Sequence, residues 1–191
     1  MKVLAINGSA RMDGNTAILI GKVFEELNAA GIATEMIQFG SKNIEPCKAC
    51  WACGGRNNCV HKNDIFQEVY EKMLDADGVI LGSPVYSANV SANMQAFLER
   101  AAVVCDMNPN GKTMKHKVGA SVAAVRRGGA LEAIDTMNHF FLNHEMYVVG
   151  STYWNMVYGQ MPGDVLKDAE GLANMKNLGQ NMVILLSALN K

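Results

Sequence analysis

The stretch VLAINGSARMDGNT, residues 3–16, decides the fold. Its first four residues are apolar, too few for an amphipathic helix, and the turn residues Asn7-Gly8-Ser9 end the run. From residue 16 to residue 30 the apolar positions recur at helical spacing, and Gly31 follows as a stop signal. The stretch therefore predicts a short buried strand, a glycine-containing loop and a helix, in that order.

The same alternation of strand and helix continues along the chain. Further strands are predicted at residues 34–39, 78–82, 117–125 and 147–153. Further helices are predicted at residues 64–76, 91–105, 131–143 and 164–190, with Gly171 and Gly179 as points where the last one could break. Short apolar strands between helices are typical of a parallel sheet covered on both faces. We therefore predict one doubly wound α/β domain over residues 1–191, with a five-stranded parallel sheet and a cysteine-rich loop at residues 43–63.

The composition limits the classes of partner that we expect the protein to bind. Charged residues make up 18% of the 191 residues and the formal net charge is -1, so no overall field attracts nucleic acid or an anionic membrane. The sequence shows no signal peptide and no apolar run of about 18 residues that would span a membrane. We expect a cytoplasmic protein with a small-molecule or protein redox partner, and with neither nucleic acid nor membrane as partner.

The loop after the first strand has the residues to bind an anion. It leads into a helix start, whose free backbone N–H groups favour negative charge. It lacks the Lys-Ser or Lys-Thr of a nucleoside-triphosphate loop and the G-x-G-x-x-G dinucleotide fingerprint, which leaves a single phosphate such as that of FMN. The simpler alternative is a turn and a helix cap without a ligand. The candidate ligands are Ser9, Arg11, Gly14, Asn15 and Thr16.

Two later loops also follow strand ends and suit a flat ring. Pro84 stiffens the first of them, and Tyr86 could lie against the ring system. The second contains two arginines and two glycines that could meet a flavin edge or a nicotinamide-nucleotide phosphate. A solvated basic turn explains Arg126 equally well. The candidate residues are Pro84, Val85, Tyr86, Ser87, Arg127, Gly128 and Gly129.

Four of the five cysteines have the spacing Cys47-x2-Cys50-x2-Cys53-x5-Cys59. A reducing compartment argues against disulfides. Four thiolates can hold a [4Fe–4S] cluster, and three of them could converge from one tight loop. Zinc is a second interpretation, although structural zinc sites usually pair two separated C-x-x-C segments. Thiols without a metal are the third, and Cys105 is expected to be a small buried hydrophobe.

The combination of these motifs resembles the NAD(P)H-dependent FMN reductase family. The resemblance lies in residues 8–16, 82–86 and 127–129, with further similarity at 153–159, 162–164 and 168–171. Residues 43–47, the three cysteines that follow them and Asp64 resemble the iron–sulfur flavoprotein branch of that family. The resemblance implies a flavodoxin-like fold, bound FMN and a homodimer or homotetramer. It assigns Ser9, Arg11, Asn15 and Thr16 to the phosphate, and Pro84, Val85, Tyr86 and Ser87 to the ring.

The function predicted from these features is an FMN-dependent oxidoreductase. It would pass electrons from NAD(P)H, or from ferredoxin through the cluster, to an acceptor such as a quinone, a dye or oxygen. The flavin carries the chemistry, so no acid–base side chain is required. One alternative is a non-catalytic flavodoxin-like electron carrier, which the scarcity of acidic residues near the ring loops disfavours. The other is a redox-sensing module that uses the cysteine loop.

Overall fold

A parallel sheet forms the centre of the computed structural model, which describes residues 1–111 and 113–190. Its strand order is β2-β1-β3-β4-β5, with β6 also paired to β4, and every pair is parallel. This is the order of flavodoxin-like doubly wound sheets, as the sequence predicts. The strands are β1 (Lys2–Asn7), β2 (Ala33–Gln38), β3 (Gly78–Pro84), β4 (Val118–Val125), β5 (Tyr147–Val148) and β6 (Met156–Tyr158).

The fifth predicted strand, residues 147–153, is wrong in its extent. Only β5 and β6 pair with β4 at this edge, and they contact its two ends. Gly119 of β4 pairs with Val148, and Ala123 pairs with Met156. The segment that joins β5 to β6 is therefore four residues longer than the matching part of β4, and it leaves the sheet as a loop. This loop is closed by a hydrogen bond from the Ser151 hydroxyl to the Asn155 side chain (2.8 Å). Its tip exposes aromatic side chains that a continuous strand would have placed on the sheet.

Helices cover both faces of the sheet, and each face has its own hydrophobic core. One core lies under α1 and α5, and the other lies under α2, α3 and α4. Burying a large apolar side chain stabilises the fold by about 1.5–3 kcal/mol, so the two cores fix the positions of the connecting loops. The helices are α1 (Asn15–Ala29), α2 (Phe66–Asp75), α3 (Ala92–Asp106), α4 (Ala130–Asn143) and α5 (Ala169–Leu189), with a 3₁₀ turn at Asp164–Lys167.

The last helical segment breaks before α5, at Asp168, and not at its glycines. The Asp168 carboxylate accepts a hydrogen bond from the Gly171 N–H (2.9 Å) and caps α5. A Cβ at Gly171 would lie 2.8 Å from Val157, and one at Gly179 would lie 2.8 Å from the Val23 carbonyl oxygen. The glycines therefore let α5 approach β6 and α1 closely. None of the described helices combines the length and the apolarity needed to cross a membrane.

Candidate active site

An open cleft lies at the carboxyl ends of β1, β3 and β4. This is where doubly wound sheets bind their ligands. Two arginines and no carboxylate line it, so its charge suits an anion. The lining residues are Ser9, Arg11, Asn15, Thr16, Pro84, Val85, Tyr86, Ala124, Arg126, Gly159 and Gln160.

The sequence predicts seven of these eleven residues. The structure brings together the predicted phosphate residues Ser9, Arg11, Asn15 and Thr16 and the predicted ring residues Pro84, Val85 and Tyr86. It does not place Gly14, Ser87, Arg127, Gly128 or Gly129 on the cleft wall. The sequence prediction missed three lining residues, Ala124, Gly159 and Gln160, and for Arg126 it left a solvated basic turn as an equal alternative.

Ser9 is buried and held by its own loop. Its N–H donates to Oδ1 of Asn7 (3.0 Å), and its hydroxyl oxygen accepts the Arg11 N–H (3.1 Å). Asn7 is in turn fixed by a hydrogen bond from its amide to Gln38 of β2 (2.9 Å). The hydroxyl hydrogen of Ser9 remains available for a ligand, because only the oxygen is engaged. Asn7 itself reads in the sequence only as a turn residue.

Asn15 has a bridging role in addition to lining the cleft. Its amide nitrogen donates to the Met161 carbonyl oxygen (3.0 Å), and its amide oxygen accepts the Gly163 N–H (2.8 Å). These bonds hold the segment after β6 against the start of α1. Gly159 and Gln160 reach the cleft as a result. The resemblance assigns Asn15 to the phosphate, and the structure leaves one amide hydrogen for that purpose.

The Tyr86 loop is a tight turn with two residues in the left-handed region. Backbone hydrogen bonds join Tyr86 and Asn89 in both directions (2.8 and 3.0 Å), and φ is 49° at Ser87 and 60° at Ala88. Such a type I′ turn favours Asn-Gly, so each non-glycine residue here costs about 1–2 kcal/mol. The turn is stabilised from outside, because the Val85 N–H donates to the Ala124 carbonyl (3.0 Å).

Gly129 supports this turn from below and does not line the cleft. Its φ is +86°, and a Cβ there would lie 2.6 Å from the Cα of Ala88. Gly128 has neither restriction, since a Cβ at that residue would meet no other atom within 4 Å. Gly129 therefore has a packing role beneath the turn, and its contact with a flavin edge stays a prediction.

We expect Gly129→Ala to destabilise the protein by at least about 2 kcal/mol, because left-handed strain and a backbone clash add. Gly128→Ala is the matched control and should unfold like the unmodified protein. Urea unfolding followed by circular dichroism measures both free energies of unfolding. Equal stability of the two variants would contradict the packing role.

Of the two adjacent arginines after β4, Arg126 lines the cleft and Arg127 does not. Side chains alternate between the faces of a strand, so Ala124 and Arg126 lie on one side at the end of β4. This alternation was a signal in the sequence that could have identified Arg126. Arg127 is exposed and lies outside the cleft.

The four clustered cysteines line a second cavity, which is much smaller than the cleft and is called here the cysteine cavity. Burial, and next the proximity of the other three thiols, raises the pKa of Cys53. Cys105 lies apart from them, with its sulfur 3.2 Å from the Tyr70 hydroxyl, and it is buried as predicted. The cysteines that line the cavity are Cys47, Cys50, Cys53 and Cys59.

The cysteine loop contains three non-glycine residues in the left-handed region. Ala49, Trp51 and Asn57 all have φ between 49° and 58°, an unusual conformation for non-glycine residues. The Ala49 N–H also points at the sulfur of Cys47 (3.4 Å). Among residues 1–111 and 113–190, no three His, Cys, Asp or Glu side chains form a group that could hold a single metal ion. A cubic cluster makes a different demand, because each thiolate binds its own iron atom, and four thiols around one cavity suit it.

The strand order and the cleft together define a flavodoxin-like α/β protein. A crystal structure of a flavodoxin, WrbA-like protein from Agrobacterium tumefaciens has the same fold, with a TM-score of 0.65 at 14% identity over 98% of this chain and 97% of the other. The family model described as NADPH-dependent FMN reductase matches residues 1–160, and the chain belongs to this FMN-binding oxidoreductase family.

Two relatives match the chain over its full length. An iron–sulfur flavoprotein of Methanocaldococcus jannaschii is 36% identical over 198 residues and is covered completely. An iron–sulfur flavoprotein of Methanosarcina thermophila is 31% identical over 194 residues, with 98% of its length covered. The predicted resemblance to the iron–sulfur flavoprotein branch is thus confirmed.

Proposed function

We propose that this protein passes electrons from NAD(P)H, or from a ferredoxin through a [4Fe–4S] cluster, to an acceptor such as a quinone, a dye or oxygen. The observation that carries the proposal is the cleft, which joins two positive charges to the wall formed by Pro84, Val85 and Tyr86. When bound, FMN supplies the redox chemistry, and the protein supplies placement and electrostatics.

The residues that line the cleft form two chemically different ends, one polar and one apolar. The first turn of α1 provides free N–H groups and the Thr16 hydroxyl, and Ser9 and Arg11 add donors beside them, which suits the FMN phosphate. Tyr86 and Pro84 form an apolar wall on which a flat ring can lie. Arg126 lies at the end of β4 and favours negative charge on the ring or on a nucleotide donor.

The cysteine cavity is the proposed site of the cluster. Its four thiols come from one loop, and the names of the two full-length relatives support iron and sulfur there. When bound, such a cluster supplies single-electron transfer, which would connect the protein to a one-electron donor.

A homodimer or homotetramer is proposed as the working form. The surface next to the cleft exposes a group of large apolar side chains, and such patches commonly mark protein interfaces. They are Tyr153, Trp154, Tyr158 and Met161, each about half exposed. Light scattering after size exclusion tests this, and a monomer at micromolar concentration would contradict it.

One anaerobic preparation tests the redox proposal. The visible spectrum should show bound flavin that NADPH or NADH bleaches, and adding a quinone should restore it. Chemical analysis should give about four iron and four sulfide per chain. A colourless protein that binds no FMN on titration would overturn the flavin proposal. Full flavin with little iron would remove the cluster and leave a plain flavoprotein.

Arg126→Met should weaken FMN binding about 3- to 10-fold, because an exposed guanidinium contributes modestly to holding an anion. Arg127→Met removes the same charge from the neighbouring residue outside the cleft, and we expect its dissociation constant to stay within about twofold of the unmodified protein. Fluorescence quenching of FMN measures both constants. The reverse order of effects would place the anion near Arg127.

A further inference from the structure

Arg100 is a buried cation that lies directly beneath the cysteine cavity. It stands in the middle of α3, is 2% exposed and forms part of the cavity wall. Its Nε–H donates to the sulfur of Cys59 (3.1 Å). Its Nη1 pairs with the carboxylate of Asp64 (2.6 Å). Neither the flavin cleft nor the cysteine spacing accounts for a charge at this position.

The same guanidinium holds both flanks of the cysteine loop. Nη1 donates to the Glu45 carbonyl oxygen (3.2 Å) before the first cysteine, and Nη2 donates to the His61 carbonyl oxygen after the last one. The Phe66 ring lies beneath it, with its centroid 4.2 Å from the guanidinium carbon. Arg100 is therefore fixed on every side, so its bond to Cys59 has a defined direction.

The negative charge of Asp64 balances the positive charge of Arg100, so that this ion pair is neutral overall. Its carboxylate also accepts the backbone N–H groups of Glu45 (2.8 Å) and Phe66 (3.1 Å). Burial would raise the pKa of this carboxyl, but these bonds and Arg100 outweigh it and hold the pKa below its usual range. With the charges paired, the sulfur of Cys59 receives chiefly an oriented N–H donor.

We propose that Arg100 is a positioning residue that raises the reduction potential of the cluster through its hydrogen bond to Cys59. The inference rests on the proposed function, since it requires a cluster in the cysteine cavity. Donors to cysteine sulfur lower the electron density on the ligand and stabilise the more negative, reduced cluster. Removing this donor should therefore make the cluster harder to reduce.

Two variants measure the contribution of Arg100 without leaving an unpaired carboxylate in the core. Asp64→Asn keeps Arg100 on Cys59 and leaves its charge uncompensated, so the cluster should become easier to reduce. The double variant R100Q/D64N removes both charges, and the shorter glutamine falls short of the sulfur. It avoids the unpaired buried carboxylate that R100Q alone would create. Both variants have asparagine at residue 64, so the difference between their cluster potentials is the contribution of Arg100.

Anaerobic redox titration followed by electron paramagnetic resonance measures the cluster potential in the FMN-loaded protein. Between D64N and R100Q/D64N we expect the reduction equilibrium to become about tenfold less favourable, which is about 59 mV for one electron. Arg56→Gln removes an exposed positive charge from the same loop and should change the equilibrium less than about twofold. The flavin potential serves as an internal reference.

The outcomes separate this inference from the proposed function. Iron absent from the unmodified protein would overturn both. Equal cluster potentials in D64N and R100Q/D64N, with iron retained, would overturn only the role of Arg100. Loss of iron from the double variant with flavin retained would also overturn it, because Arg100 would then only hold the loop in place.

Discussion

Replacing Cys50 by alanine should remove the iron of the proposed cluster while leaving the fold and the flavin intact. Cys50 is the exposed member of the four cysteines that line the cysteine cavity, and its sulfur contacts His61, at 3.7 Å. Its removal therefore costs little packing energy, since exposed substitutions usually change stability by less than about 0.5 kcal/mol. A cubic cluster, however, needs all four thiolates. Iron should fall from about four to below about one atom per chain.

Cys105→Ala is the control for this experiment. Cys105 is buried against Tyr70 and lies outside the cysteine cavity, so this substitution disturbs the core more than Cys50→Ala does. If general destabilisation caused iron loss, Cys105→Ala would lose more iron than Cys50→Ala. Metal analysis, flavin absorbance and circular dichroism of both variants decide this. Zinc in place of iron in the unmodified protein would favour the second interpretation of the cysteines.

The sequence predicts the parts of the fold that depend on local patterns. The first strand, loop and helix follow from residues 3–30, and the structure places them within a few residues of the prediction. The fifth strand failed because its pairing depends on β4, about 30 residues earlier. Nothing local shows that residues 149–155 leave the sheet and that residues 156–158 return to it. The β6 strand and the cleft residues after it were missed for the same reason.

The same limit applies to the choice of residues within the site. Ser9 and Thr16 were found because a helix start and its preceding loop are recognisable in sequence. The packing contact of Gly129 could not be predicted, because its partner is Ala88, a residue some 40 positions earlier in the chain. Arg100 was missed because a single arginine on a helix reads as surface. Its partners, Asp64 and Cys59, become neighbours only when α3 packs against the cysteine loop.

Thr16→Val should weaken FMN binding about 10- to 100-fold. Thr16 is 1% exposed, lies in the first turn of α1 and lines the cleft. Within the part of the chain that the structure describes, its hydroxyl forms no hydrogen bond to another residue, so it is available to a ligand. A hydrogen bond to a charged acceptor contributes about 1.5–3 kcal/mol. Valine has the same shape, so the change removes the donor and little else.

The melting temperature of the FMN-free protein shows whether Thr16→Val affects ligand binding or folding. Thr34→Val is the matched control, because Thr34 lies at the amino end of β2, at the opposite edge of the sheet from the cleft. Without FMN, we expect Thr16→Val to melt within about 2 °C of the unmodified protein, since no internal hydrogen bond is lost. With FMN in excess, its melting temperature should rise less, because ligand stabilisation grows with the logarithm of ligand concentration over Kd. An unchanged Kd would place the phosphate away from the Thr16 hydroxyl and contradict its assignment as a phosphate ligand.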